Sequence, residues 1–173
     1  MLTLLLFRHA KSDWNAPELS DHERPLNKRG TRAAPQMGHY IAQHHLKPDQ
    51  IICSDAVRTR ATLALILPEL GTPPPHVTID ADLYLASAET ILASVRNHAR
   101  ETDKRLMVIG HNPGLHALAL TLTGEGDTSG ITQMAMKYPT AALAVLKFEA
   151  ESWQDIKPAK GHLEAFVVPK HLD

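Results

Sequence analysis

Short apolar runs alternate along the chain with longer stretches in which apolar residues recur every three or four positions. Met1-Leu2-Thr3-Leu4-Leu5-Leu6-Phe7 is nearly continuous in apolar residues, the mark of a strand covered on both faces. A polar loop through Asp21-His22-Glu23-Arg24-Pro25 follows. Leu26-Asn27 then opens a helix with Ala33, Ala34, Met37, Ile41 and Ala42 on one side. Pro35 lies inside that pattern and predicts a kink or a late start. A second strand, Ile51 to Ser54, feeds a helix through Ala61, Leu65 and Ile66 that stops near Pro68 to Gly71. Pro73-Pro74-Pro75 reads as a stiff surface connector rather than a domain boundary.

A third strand near Val77-Thr78-Ile79 precedes a helix from about Ala88 to Arg100, with Ile91, Leu92 and Val95 on one face. The fourth strand is Arg105 to Gly110. Pro113 sits where a helix accepts a residue lacking its N–H, and Leu115, Leu118, Ala119 and Leu122 form the buried stripe that follows. Gly124-Glu125-Gly126-Asp127 breaks that helix, and Glu125 to Gly130 reads as a flexible turn. Ala141 to Phe148 and Leu163 to Val168 read as two strands joined by a turn at Glu151 to Gly161. Strands alternating with helices are the pattern of βαβ units, hence of an α/β fold.

Length and composition narrow the function classes. The 173 residues and 43% hydrophobic content suit one globular domain spanning 1–173. A formal net charge of -1 argues against a nucleic-acid partner held by a basic surface, so phosphate binding should be local. The single cysteine, Cys53, lies inside an apolar strand and reads as a core residue; it allows no internal disulfide. The apolar start has no basic region before it and is interrupted by Arg8-His9-Ala10-Lys11, far short of a membrane span, which predicts a cytoplasmic protein without a membrane partner. Eleven histidines invite a metal reading, yet none shows a ligand spacing with a third ligand, so neither metal nor other cofactor is expected.

The chemistry sits where strands end. Arg8-His9 directly follows the first strand, Arg58 comes a few residues beyond the second, and His111-Asn112-Pro113-Gly114 closes the fourth. In a parallel sheet these positions share the edge that holds the ligand crevice, so two arginines and two histidines should converge there. An imidazole can be phosphorylated on nitrogen if the phosphoryl group is held in line with it and its charge is neutralised, a task for the bidentate guanidinium fork. His111, at a strand-to-helix step, could donate to a phosphoryl oxygen. His9 would need its other N–H fixed by a carbonyl or carboxylate, and the sequence shows no such partner.

Arg8-His9-Ala10-Lys11-Ser12-Asp13-Trp14-Asn15, Arg58 within Ser54-Asp55-Ala56-Val57-Arg58-Thr59-Arg60-Ala61-Thr62, and Gly110-His111-Asn112-Pro113-Gly114 together resemble the histidine phosphatase superfamily, most closely its small SixA-type phosphohistidine phosphatases. The resemblance implies a three-layer α/β/α sandwich with a largely parallel, phosphoglycerate-mutase-like sheet. It also implies His9 as the phosphorylated nucleophile, with Arg8, Arg58 and His111 clamping the phosphoryl group and no metal. Ser12 and Asn15 match the loop near the phosphate, and Arg24 would add a third positive contact at the pocket mouth.

Two departures stand out. The first block ends in Ala10 where glycine is usual. Ester-cleaving relatives carry a glutamate soon after the third strand, where Leu83-Tyr84-Leu85-Ala86-Ser87 has Leu85 at about that place. Glu89 and Asp82 are nearby substitutes, with Asp13 and Asp21 in the first loop. A phosphoramidate breaks more readily than an ester and needs less proton help, so the gap favours phosphohistidine on a protein over small phosphate esters. About fifty residues separate Arg58 from His111, leaving little for a lid. The alternatives are a phosphatase of small esters and a catalytically weak module that binds phosphorylated partners.

Overall fold

The computed structural model describes residues 1–173. Seven strands form one sheet in the order β3-β2-β4-β1-β6-β7-β5, with β1 Leu2–Arg8, β2 Gln50–Cys53, β3 His76–Ile79, β4 Arg105–Gly110, β5 Thr123–Gly126, β6 Leu143–Phe148 and β7 Gly161–Val167. Only β6 runs against the others: β1, β2, β3 and β4 pair in parallel, β6 is antiparallel to both β1 and β7, and β5 is parallel to β7. The expected largely parallel sheet is present, with a mixed edge.

The central strands are apolar throughout because both faces are covered. Leu4 and Leu6 of β1 join Leu106 and Val108 of β4 on one face, against α3 (Ala88–His98), α4 (Gly114–Leu122) and α5 (Thr128–Met136). Leu5 and Phe7 join Met107 and Ile109 on the other, against α1 (Lys28–Gln43) and α2 (Val57–Ile66). This is the three-layer α/β/α sandwich.

Two readings change. Asn27 caps α1 by accepting from Gly30 N, and the helix starts at Lys28 and runs through Pro35, so the proline delays nothing. The segment read as a flexible turn at Glu125 to Gly130 is instead the end of β5 and the first turn of α5. Asp127 caps that helix through Gly130 N. Two glycines hid the strand, and a third, Gly130, hid the helix, since glycine is a poor former of both.

Register brings the chemistry level. Arg8 of β1 pairs with Gly110 of β4, and Cys53 of β2 pairs with Ile109, so the segments carrying His9, Ser54 and His111 leave the sheet side by side.

Candidate active site

His9 N donates to Gly110 O and Ser54 N to Ile109 O, extending the ladder one step past the strands and fixing three loops at one edge. Ala10 N donates to Thr62 Oγ1, which in turn donates to Arg58 O. That relay ties the loop after β1 to the first turn of α2. Opposite, the Tyr138 carbonyl accepts from Arg8 Nη1 at 3.0 Å and from Asn112 Nδ2 at 2.9 Å, holding the first and fourth crossovers together.

The four expected residues converge. Arg58 Nε lies 3.4 Å from His9 Nε2, and the His9 and His111 rings are 5.3 Å apart between centroids. His9, Arg58 and His111 are 6%, 3% and 1% exposed, burial deep enough to decide their protonation. His9 Nδ1 is 2.7 Å from Ala10 O. A carbonyl can only accept, so Nδ1 carries the proton and Nε2 keeps its lone pair. This carbonyl is the tautomer-fixing partner that the sequence did not reveal.

Burial, then the charges of Arg58, Arg8 and Arg24, bring the His9 pKa down to about 4 against the opposing bond to Ala10 O. Burial, then His9 and Arg58, lower that of His111 to about 3. Both rings are neutral near pH 7. His111 Nε2 is 2.8 Å from Ser54 Oγ, while its Nδ1 and Arg8 Nε are buried with no protein partner. Buried polar atoms without a partner are costly, and an anion that reached them would offset that cost.

Arg24 belongs to the same group. Its Nη1 donates to Ser12 Oγ at 2.9 Å and its Nη2 to Asp21 Oδ1 at 2.6 Å, with the guanidinium 3.4 Å above the Trp14 ring centroid. Asn15 is exposed and supplies only a backbone N–H to Asp13 Oδ1, so its side chain makes no contact with the cluster. Glu89 is exposed on the first turn of α3, and Asp82 is exposed with its N–H bonded to Asp80. Neither carboxylate touches the cluster.

The carboxylate that does is Asp21. It receives Arg58 Nη2 at 3.0 Å, Arg24 Nη2 and the Tyr84 hydroxyl, while its own carbonyl accepts from Arg58 Nη1 at 2.6 Å. The Tyr84 hydrogen bond, followed by those of Arg24 and Arg58, holds its carboxyl well below the usual range. Tyr84 also meets the His111 ring edge-on at 5.4 Å and the His22 ring at 4.8 Å. The sequence offers no carboxylate at Leu85, and the residue of that block that reaches the site is Tyr84, one position earlier. Leu85 has φ 48, a left-handed turn that separates Tyr84 from Ala86. Ala86 O lies so near Gly114 that a Cβ there would approach it to 1.8 Å, which explains the glycine closing the His111 motif.

Comparison with known proteins places the chain in a family. The model of the histidine phosphatase superfamily (branch 1) matches residues 4–84. An uncharacterized protein of Mycobacterium tuberculosis is 34% identical over 172 residues, covering 94% of this chain and 99% of that protein. A 2,3-bisphosphoglycerate-dependent phosphoglycerate mutase of Bradyrhizobium is 36% identical over 72 residues, only 40% of this chain and 35% of the mutase. Among solved structures, a protein assigned as phosphohistidine phosphatase SixA from Agrobacterium tumefaciens superposes with a TM-score of 0.80 at 27% identity, covering 97% of this chain and 98% of that one. SixA in complex with tungstate shares the fold with a TM-score of 0.77 at 17% identity over 99% of this chain and all of that one. The chain belongs to the histidine phosphatase superfamily, in its SixA-type branch.

Proposed function

We propose that the protein is a phosphatase that works through a phosphohistidine on His9 and takes its phosphoryl group from phosphohistidine on another protein. The observation that carries this reading is the His9 ring itself: neutral, with Nδ1–H committed to Ala10 O and the Nε2 lone pair turned to the Arg58 guanidinium, accepting from Nε in a long bond of 3.4 Å that an incoming phosphoryl group would displace. In the first step Nε2 attacks phosphorus, the bond from phosphorus to the substrate nitrogen breaks, and the electron pair leaves with the substrate imidazole. In the second step water attacks the phosphorus on His9, the P–N bond breaks, and inorganic phosphate departs. Arg8, Arg58 and His111 neutralise the equatorial oxygens in both steps, and Arg24 and Ser12 support that charge from the loop.

What the site's carboxylate can do supports this substrate class. Asp21 is ionised and engaged by two guanidiniums and a hydroxyl, so it holds no proton to give a departing alkoxide at neutral pH. A phosphorylated imidazole leaves with far less assistance. The experiment is a rate comparison between a phosphohistidine protein and a panel of small phosphate esters. The reading expects kcat/KM to favour phosphohistidine by about a hundredfold or more, the scale of general-acid assistance that the esters would lack. Faster turnover of an ester would replace it with a small-ester phosphatase.

A further inference from the structure

We propose that the basic face beside the catalytic edge is the docking surface for an acidic protein that carries the phosphohistidine. A cavity of about 160 Å³ there is bordered by Lys11, Arg29, Lys137 and Lys170, with no acidic residue in its lining. All four cations are exposed and none takes part in a salt bridge, in a chain whose net charge is -1. They come from four places in the fold: the loop after β1, α1, the residue after α5 and the segment after β7. Like charges gathered this way repel one another, and an anionic partner relieves them.

The face is joined to the site by covalent and hydrogen bonds. Lys11 lies two residues beyond His9. Lys137 adjoins Tyr138, whose carbonyl holds Arg8, and Ala141 N at the other end of that loop donates to both Arg8 O and His9 O. A molecule resting on these cations therefore rests on the segments that carry Arg8 and His9 and on the loop that holds them.

An apolar shoulder selects a protein over a small anion. A groove of about 230 Å³ shares Lys137, Val168 and Lys170 with the basic cavity and extends past Phe166 to Met136, which is 83% exposed. A free anion gains nothing from a methionine. A protein surface with carboxylates beside an aliphatic side chain uses both, the soft thioether adapting to its shape.

The proposal rests on the reading of the substrate as protein phosphohistidine, and its test separates the two. The probes are two synthetic phosphohistidine peptides of equal length, one flanked by glutamates and one by glutamines, with free phosphohistidine as the control. The wild type should show kcat/KM about tenfold higher on the glutamate peptide at low ionic strength, a preference that fades near 0.5 M salt, roughly where screening shortens to a few ångströms. Lys137→Glu/Lys170→Glu should erase the preference and leave free phosphohistidine turnover unchanged. Lys137→Gln/Lys170→Gln should reduce it in part, which covers misfolding of the reversed pair. Equal rates on both peptides in the wild type, or a preference that survives the reversal, would overturn the docking surface while leaving the substrate class intact.

If neither peptide is hydrolysed but a small ester is, the substrate reading fails. The face is then judged by the unphosphorylated glutamate peptide as an inhibitor of ester turnover. Inhibition lost in the reversed variant upholds docking, and absence of inhibition overturns it. Binding to phosphatidylglycerol vesicles that the reversal abolishes, without any peptide preference, would assign the face to a lipid surface and overturn the proposal too.

Discussion

In the proposed mechanism His9 attacks only while its ring is neutral, and its surroundings widen the pH range in which it is. An ordinary histidine, with a pKa near 6.5, would be half protonated just below neutrality. Burial and three arginines move that point to about 4. With the pKa lowered, the reactive form is lost only as pH falls through about 4, so kcat/KM on a stable ester, corrected for the ester's own ionisation, should stay flat from pH 7 to 5. A steep fall beginning near pH 6.5 would show a solvated ring instead. Asp21 is argued to hold guanidiniums in place, not to deliver a proton. Asp21→Asn should therefore lower the plateau by about ten- to a hundredfold through misplacement of Arg58 and Arg24, and leave the shape of the pH profile unchanged. Were Asp21 the proton donor, the wild type would show an alkaline limb that the variant lacks.

At the level of elements, the site depends on where loops touch. Gly114 opens α4 against the Ala86 carbonyl, and that contact sets the turn that aims Tyr84 at Asp21 and His111. Gly114→Ala forces a methyl group into backbone, which should cost about 1–3 kcal/mol of stability and reduce turnover as the Tyr84 turn shifts. Urea midpoints and kcat measured on the same variant check both; an unchanged midpoint would mean the turn yields freely. The sequence made the strand-end placement legible because the runs ending at Phe7, Cys53 and Gly110 are almost wholly apolar, and burial on both faces admits little else. It did not make β5 and α5 legible. Their glycines carry no pattern, and their place is decided by pairing with β7 and packing beneath Phe166, contacts distant in sequence.

For the whole molecule, the sandwich acts as a frame that brings four side chains from three crossovers to one edge, where the proposed mechanism places the phosphoryl group. Arg8, His9, Arg58 and His111 could be named in advance because each lies within a few residues of a strand end. Asp21 is one of four candidate carboxylates that the sequence could not rank, and Tyr84 and the Ala10 carbonyl could not be named at all, since a loop side chain reaching across the pocket and a backbone oxygen leave no periodic trace. The same frame carries the basic, partly apolar face of Lys11, Arg29, Lys137 and Lys170, the docking surface proposed for the phosphorylated protein. The central claim is that phosphorus bonds covalently to His9 Nε2 during turnover. Rapid quenching into alkali with a radiolabelled phosphoryl donor, followed by peptide mapping, should recover an alkali-stable, acid-labile phosphate on His9 that is absent from His9→Ala. Full turnover in His9→Ala, or label recovered on any other residue, would contradict the account.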